Sequence, residues 1–140
     1  MTEADLETVL KIEYAAYSHP WTRGIFLDGL GKYQIWLMFE GQQQVGHGVV
    51  QIILDEAHLL NITVTPAYQG QGWARVMLDA LGLWSRGQGL QWLWLEARVS
   101  NLRALQVYAA HGFQRVGLRK KYYPDAFGQR EDAIVMSLKL

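Results

Sequence analysis

Glu96 stands near the end of the apolar run "QWLWLEARV" (91–99), with Asn101 five positions on and Tyr108 seven beyond that. A carboxylate is poorly placed in such a run unless something uses its charge, and within reach of an amine it can remove a proton. A phenol, with a pKa of about 10, can return a proton to a departing anion. Seven residues are two helical turns, so a helix starting near Asn101 carries Tyr108 on the same face as its N-terminal end. Each residue also has a plainer reading. Glu96 could be a strand-end carboxylate in solvent, Asn101 a helix cap, and Tyr108 a core residue between Val107 and Ala109.

A second candidate is "YQGQGWARVML" (68–78), where two glycines and two glutamines lead into an apolar stretch. Strand, glycine-rich loop and helix in that order present free N–H groups and the positive end of a helix dipole to an anion. Small residues at Gly70, Gly72 and Ala74 let a pyrophosphate approach the backbone, and Arg75 adds a charge. A steric turn is the alternative. Two nucleotide readings fail: no Gly-Lys-Ser/Thr follows the first glycine, and Arg75 stands where a dinucleotide fingerprint needs its third glycine.

The elements that must position these residues are legible in outline. Thr2 with Asp5 caps a helix whose Leu6, Val9, Leu10 and Ile12 lie along one side, and it runs to about Tyr17. Thr22, after Pro20, caps a short second helix. "YQIWLMFE" and "QVGHGVVQIILD" around "GQQ" read as a hairpin, and "AHLLNITV" as a third strand of an antiparallel meander. Ala74, Met77, Leu78 and Leu81 form a helical stripe that ends near Gly87 and Gly89. "QWLWLEARV" is a strand whose alternation puts Trp92, Trp94 and Glu96 on one face. Asn101 caps a helix stopped by Gly112, and "FQRVGLRK" and "AIVMSLKL" are the closing strands. The fold class is α/β, a mixed central sheet with an antiparallel N-terminal meander and about four helices.

The 140 residues form one domain by length, with half of them hydrophobic and 19% charged, a globular composition. Thirteen basic residues balance thirteen acidic ones, so no whole-chain field draws nucleic acid or an anionic membrane. "LRKKYY" (118–123) holds three successive cations and reads as a solvated strand end. Absence of cysteine removes disulfides, thiolate nucleophiles and cysteine-type zinc sites, and it fits a reducing cytoplasm. The four histidines lack metal-pair spacing, so no metal is expected. The acidic, helical N-terminus is not a signal peptide, and no apolar run approaches the roughly 20 residues of a membrane span.

Gln69-x-x-Gly72-x-Ala74, after "NITV" and before an amphipathic helix, resembles the acetyl-CoA loop of the GCN5-related N-acetyltransferases. "LWLEARVSN" (93–101), "ALQVYAAHGF" (104–113) and "KKYYPDAFGQREDAIVMSL" (120–138) narrow the likeness to the ribosomal-protein alanine N-acetyltransferases. "PWT" (20–22) and "LDEAHLLNITV" (54–64) agree with it. The resemblance implies that fold, with acetyl-CoA as cosubstrate and no metal. It implies a protein N-terminal α-amine as acceptor, that of the N-terminal alanine of a small-subunit ribosomal protein. It further implies a cytoplasmic monomer or weak dimer with no direct contact to nucleic acid or membrane. An acetyltransferase for a small amine or lysine side chain, and a non-catalytic acyl-CoA-binding module, are the alternatives.

By the same resemblance Glu96 is the proton acceptor and Tyr108 the donor to the departing thiolate. The cofactor lies against the backbone of Ile62, Thr63 and Val64 and the loop Gln69, Gly70, Gln71, Gly72, Trp73, Ala74 and Arg75. Asn101 contacts the pantetheine arm. Trp21, Tyr122 and Tyr123 line the acceptor side. The chain departs from the family in three places. It begins almost at the first helix cap, without the usual preceding strand; Gly70 replaces a basic residue; and Trp73 replaces a smaller aliphatic one.

Overall fold

A computed structural model describes residues 1–124 and 127–140; Asp125 and Ala126, inside the C-terminal motif read from the sequence, lie outside the described residues. At the N-terminus the Thr2 N–H and hydroxyl donate to the Asp5 carboxylate at 2.8 and 3.2 Å. This cap closes a short 3-10 turn, Glu3–Asp5, ahead of α1 (Leu6–Ala16). The Thr22 hydroxyl accepts the Ile25 N–H and starts α2 (Arg23–Gly29). β1 (Gln34–Glu40) and β2 (Gln43–Ile53) form the expected hairpin, turned through Gly41 at φ +58°. β3 (Glu56–Val64) neighbours β2 across a two-residue connection, which only an antiparallel pair can use.

The second half alternates helix and strand. α3 (Trp73–Gly87) leads to β4 (Trp92–Arg98), and α4 (Leu102–His111) to β5 (Gln114–Pro124) and β6 (Arg130–Lys139). The sheet order is β1-β2-β3-β4-β6-β5. β3 and β4 are parallel over four pairs, the last Leu59 with Leu95, while β6 runs antiparallel to both its neighbours. This is the mixed sheet with four α-helices that the sequence predicts. Among the described residues no strand stands before α1, and the Met1 amino group donates to the Ile35 carbonyl of β1 at 3.0 Å. The closing strands are longer than expected, reaching Pro124 rather than Lys120 and starting at Arg130 rather than Ala133. A register shift between Arg119 and Tyr123 breaks the two-residue period there, which hides the strand from pattern reading.

The chain divides into two compact units, Met1–Gln51 with Leu60–Met77, and Ile52–Leu59 with Leu78–Leu140. The first buries Leu6, Val9, Leu10, Phe26, Ile35 and Val49 together. It also buries a carboxylate. Glu13 is 1% exposed and accepts bonds from His47 Nε2 at 2.9 Å and the Trp21 N–H at 3.0 Å. Asn61 Nδ2 adds bonds at 3.1 and 3.2 Å, and the Thr63 hydroxyl lies 3.0 Å away. Gly46 admits this close strand packing, since a Cβ there would stand 2.4 Å from the Thr63 carbonyl oxygen.

In the second unit Leu78 and Leu81 of α3, Leu93, Leu95 and Ala97 of β4, Phe113, and Ala133, Ile134 and Met136 of β6 are buried. Gly112, at φ +112°, ends α4 in the left-handed conformation the sequence anticipated. Among the described residues no helix is long and apolar enough to cross a membrane.

Burial alone would raise the Glu13 pKa, but the bonds from His47, Trp21 and Asn61, with the field of His47, hold it below its ordinary 4.5. A depressed carboxylate pKa adds stability above the ordinary value, and that stability is lost as pH falls through the folded one. Thermal unfolding from about pH 3 to 7 should therefore show a steep loss below about 4.5 that Glu13→Gln flattens. Glu13→Ala, which strands several buried donors, should cost about 3–5 kcal/mol.

Candidate active site

β4 alternates as its sequence predicts. Leu93, Leu95 and Ala97 face the core, while Trp92, Trp94, Glu96 and Arg98 share the half-exposed opposite face. Trp94 stacks on His58 of β3, with centroids 6.3 Å apart at 15°. The Glu96 side chain is 22% exposed and receives Arg119 Nε at 2.7 Å. In the sheet Glu96 pairs with Val135 and Arg119 with Ala133, so the arginine reaches from β5 across β6 to the carboxylate. The Tyr122 phenol of β5 also interacts with Glu96.

Tyr122 lies three positions after Arg119, and regular alternation would put their side chains on opposite faces. The register shift between Arg119 and Tyr123, with Lys121 at φ +51°, brings both to Glu96. The left-handed Lys121 is held by its N–H bond to Asp132 Oδ1, 2.9 Å long. Arg98, two residues beyond Glu96, is engaged elsewhere: it bonds the Pro124 carbonyl at 2.6 Å and Glu131 at 3.0 Å. Its guanidinium lies 4.6 Å from the Tyr123 ring centroid, and Tyr123 meets Tyr122 edge-on at 4.8 Å. Partial burial, then the bond to Glu96 and the Glu96 charge, push the Tyr122 pKa above its ordinary 10, against the opposing pull of Arg119.

Tyr108 lies on α4, 7% exposed, its ring 6.0 Å from Phe113. Asn101 caps α4, its side-chain oxygen accepting the Ala104 N–H at 3.2 Å. Both plain readings from the sequence are thus realised.

In the first unit the glycine loop has the geometry its composition implies. Gly70 and Gly72 take φ values of +77° and +90°, where a side chain is strained. Gly70, Gln71, Gly72 and Arg75 are exposed, and α3 starts at Trp73, whose ring meets Tyr68 edge-on at 6.5 Å. Gln69 Nε2 bonds the Val64 carbonyl at 2.9 Å, and Gln71 Nε2 bonds the Ala67 carbonyl at 3.3 Å. The Thr65 N–H donates to Val45 on β2, so alternation turns the backbone groups of Ile62 and Val64 away from β2. The Ile62 carbonyl there accepts the Tyr17 hydroxyl, whose pKa burial pushes up to about 12, keeping it a donor. Trp21 packs beside the first unit's core, 5.3 Å from Phe26, with its amide on Glu13.

One sequence reading is corrected. "LRKKYY" is not merely a solvated strand end, because Arg119 is paired with Glu96 and Tyr122 interacts with the same carboxylate. Pattern reading missed Arg119 because its reach depends on a bulge formed by a lysine, not a glycine. It also missed Glu13, Tyr17 and His47. "VGHGVV" was their one signal, a histidine between glycines in an apolar strand.

Residues 6–113 match the acetyltransferase (GNAT) family, and the chain belongs to that family. Its relatives narrow the likeness. The [ribosomal protein bS18]-alanine N-acetyltransferase of Haemophilus ducreyi is 38% identical over 141 residues, covering 100% of this chain and 97% of that protein. Its counterpart in Escherichia coli K12 is 37% identical over 137 residues, covering 97% and 92%. The crystal structure of the Escherichia coli ribosomal-protein-S18-alanine N-acetyltransferase superposes with a TM-score of 0.92 at 36% identity, over 99% of this chain and 90% of that one.

Loss of the Glu96 charge should let the Tyr122 phenol ionise at lower pH. Difference absorbance between each protein and its Tyr122→Phe derivative isolates this group. Glu96→Gln is expected to move its titration down toward 10; an unmoved titration would show that the two side chains are not bonded.

Proposed function

We propose that this acetyltransferase moves an acetyl group from acetyl-CoA directly to the N-terminal α-amine of a ribosomal protein of the bS18 type, in the cytoplasm. The observation that carries this reading is Glu96, a carboxylate on an apolar strand with hydrogen-bonding groups converging on it, in a chain alike along nearly its whole length to enzymes named for that reaction.

An α-amino group has a pKa of about 7.7–8.0, so near neutral pH much of it is ammonium and cannot attack a carbonyl. Glu96 takes one proton, directly or through a water. The freed nitrogen bonds to the thioester carbon, the carbon–sulfur bond breaks, and the thiolate takes the Tyr108 proton. A second proton leaves the nitrogen as the amide forms, which balances the one Tyr108 supplies; the third stays on the amide. With no cysteine in the chain, transfer through a cysteine acyl-enzyme is excluded.

The exposed loop of Gln69, Gly70, Gln71, Gly72, Trp73, Ala74 and Arg75 suits the pyrophosphate of coenzyme A. Its glycines already hold positive φ, and a 15-residue helix follows. Ile62, Thr63 and Val64 supply strand backbone for the pantetheine amides, with the Tyr17 and Gln69 side chains yielding the carbonyls they now occupy. Asn101 adds a polar contact, and Trp21, Tyr122 and Tyr123 contact the acceptor.

Glu96→Gln and Tyr108→Phe should each cut turnover by about 10²- to 10⁴-fold while acetyl-CoA binding stays within about threefold. Calorimetry and mass spectrometry on N-terminal peptides, polyamines and lysine peptides measure both quantities. Turnover at the wild-type rate in both variants would refute the assignment, and acetylation confined to polyamines or lysine would refute the acceptor.

A further inference from the structure

We infer that Arg119 is an internal counter-ion that holds the place of the acceptor's cationic amine on Glu96, and that the incoming α-ammonium displaces it. The inference rests on the reading of Glu96 as the proton acceptor. Arg119 is the one cation bonded to this carboxylate among the described residues, at 2.7 Å, and its side chain is 57% exposed. An ion pair so exposed is weak enough for another cation to break. Arg98 cannot play the part, since Glu131, the Pro124 carbonyl and the Tyr123 ring hold it. The displaced guanidinium has a landing place within its own strand, the Tyr122 ring, whose centroid lies 5.5 Å from its central carbon.

The backbone is bent to make this arrangement. Without the register shift and the left-handed Lys121, Arg119 and Tyr122 would lie on opposite faces of β5. A conformation that a lysine adopts at a cost of about 1–2 kcal/mol persists where its surroundings enforce it, here the bond from its N–H to Asp132. The guanidinium thus covers the carboxylate before the acceptor arrives. On exchange, an ammonium N–H meets the carboxylate oxygen, and the proton passes to Glu96. Charge at the site is conserved, one cation replacing another. An acceptor that binds as a cation is selected over a neutral one, which cannot displace the guanidinium.

The charged and titratable groups around Glu96 are Arg119 and Tyr122 from β5, Arg98 on β4 with Glu131 on β6, and the His58–Glu56 pair on β3 beyond Trp94. Among the described residues Arg119 alone forms an ion pair with it.

Steady-state kinetics against ionic strength tests the inference with Arg119→Gln, Arg119→Lys and Glu96→Gln, using an N-terminal alanine peptide. Arg119→Gln removes the competitor, so the acceptor KM should fall about two- to fivefold at low salt, the range for an exposed pair. It also removes a pair that salt screens, so the KM difference from wild type should shrink as ionic strength rises. Arg119→Lys should restore both toward wild type, and acetyl-CoA affinity should not change. A brace for β5 would give the opposite, a raised KM and a lower Tm, with no dependence of the KM difference on salt. That outcome, or an unchanged KM at every ionic strength beside an inactive Glu96→Gln, overturns the counter-ion role and leaves the base reading standing. Full turnover in Glu96→Gln overturns both.

Discussion

A carboxylate cannot sit on a strand of leucines and tryptophans without partners that compensate its lost water. Glu96 has two, the Arg119 guanidinium and the Tyr122 phenol, and both come from β5 across the width of β6. That requirement explains the local architecture of the second unit. β6 must be antiparallel to both neighbours, β5 must carry its extra residues between Arg119 and Tyr123, and Lys121 must accept a left-handed backbone. Without those features Glu96 would be an ordinary strand-end carboxylate.

The first unit solves the same problem differently. Glu13 is more deeply buried than Glu96, and it is held by neutral donors and a histidine rather than by an arginine. At 1% exposure and bonded from four sides, it serves as a fixed joint between α1, the α1–α2 connection, β2 and β3. Glu96 remains partly exposed and bonded to a cation that can leave. The contrast separates a carboxylate that organises packing from one placed to exchange a proton.

Much of this was legible in the residues. Caps at Thr2, Thr22 and Asn101, the stop at Gly112, and the alternation of β4 were read correctly because each depends on near neighbours in the chain. The Gly70–Gly72 loop was legible for the same reason: positive φ is what glycine permits. Arg119 was not legible, because its partner lies two strands away and the bulge that aims it carries no glycine. Tyr122 was placed beside the acceptor for its aromatic ring, whereas its bond to Glu96 depends on register. The Glu13 cluster draws on residues from 13 to 63, a separation that no periodicity encodes.

Family membership sets the chemistry, and the acceptor is the most consequential assignment that rests on this chain's own surfaces. It is tested most directly by mass spectrometry of ribosomal proteins from cells with and without the gene. The N-terminal alanine of the bS18 protein is expected to carry an acetyl group only when the gene is present. A fully acetylated bS18 in cells lacking the gene would contradict the account.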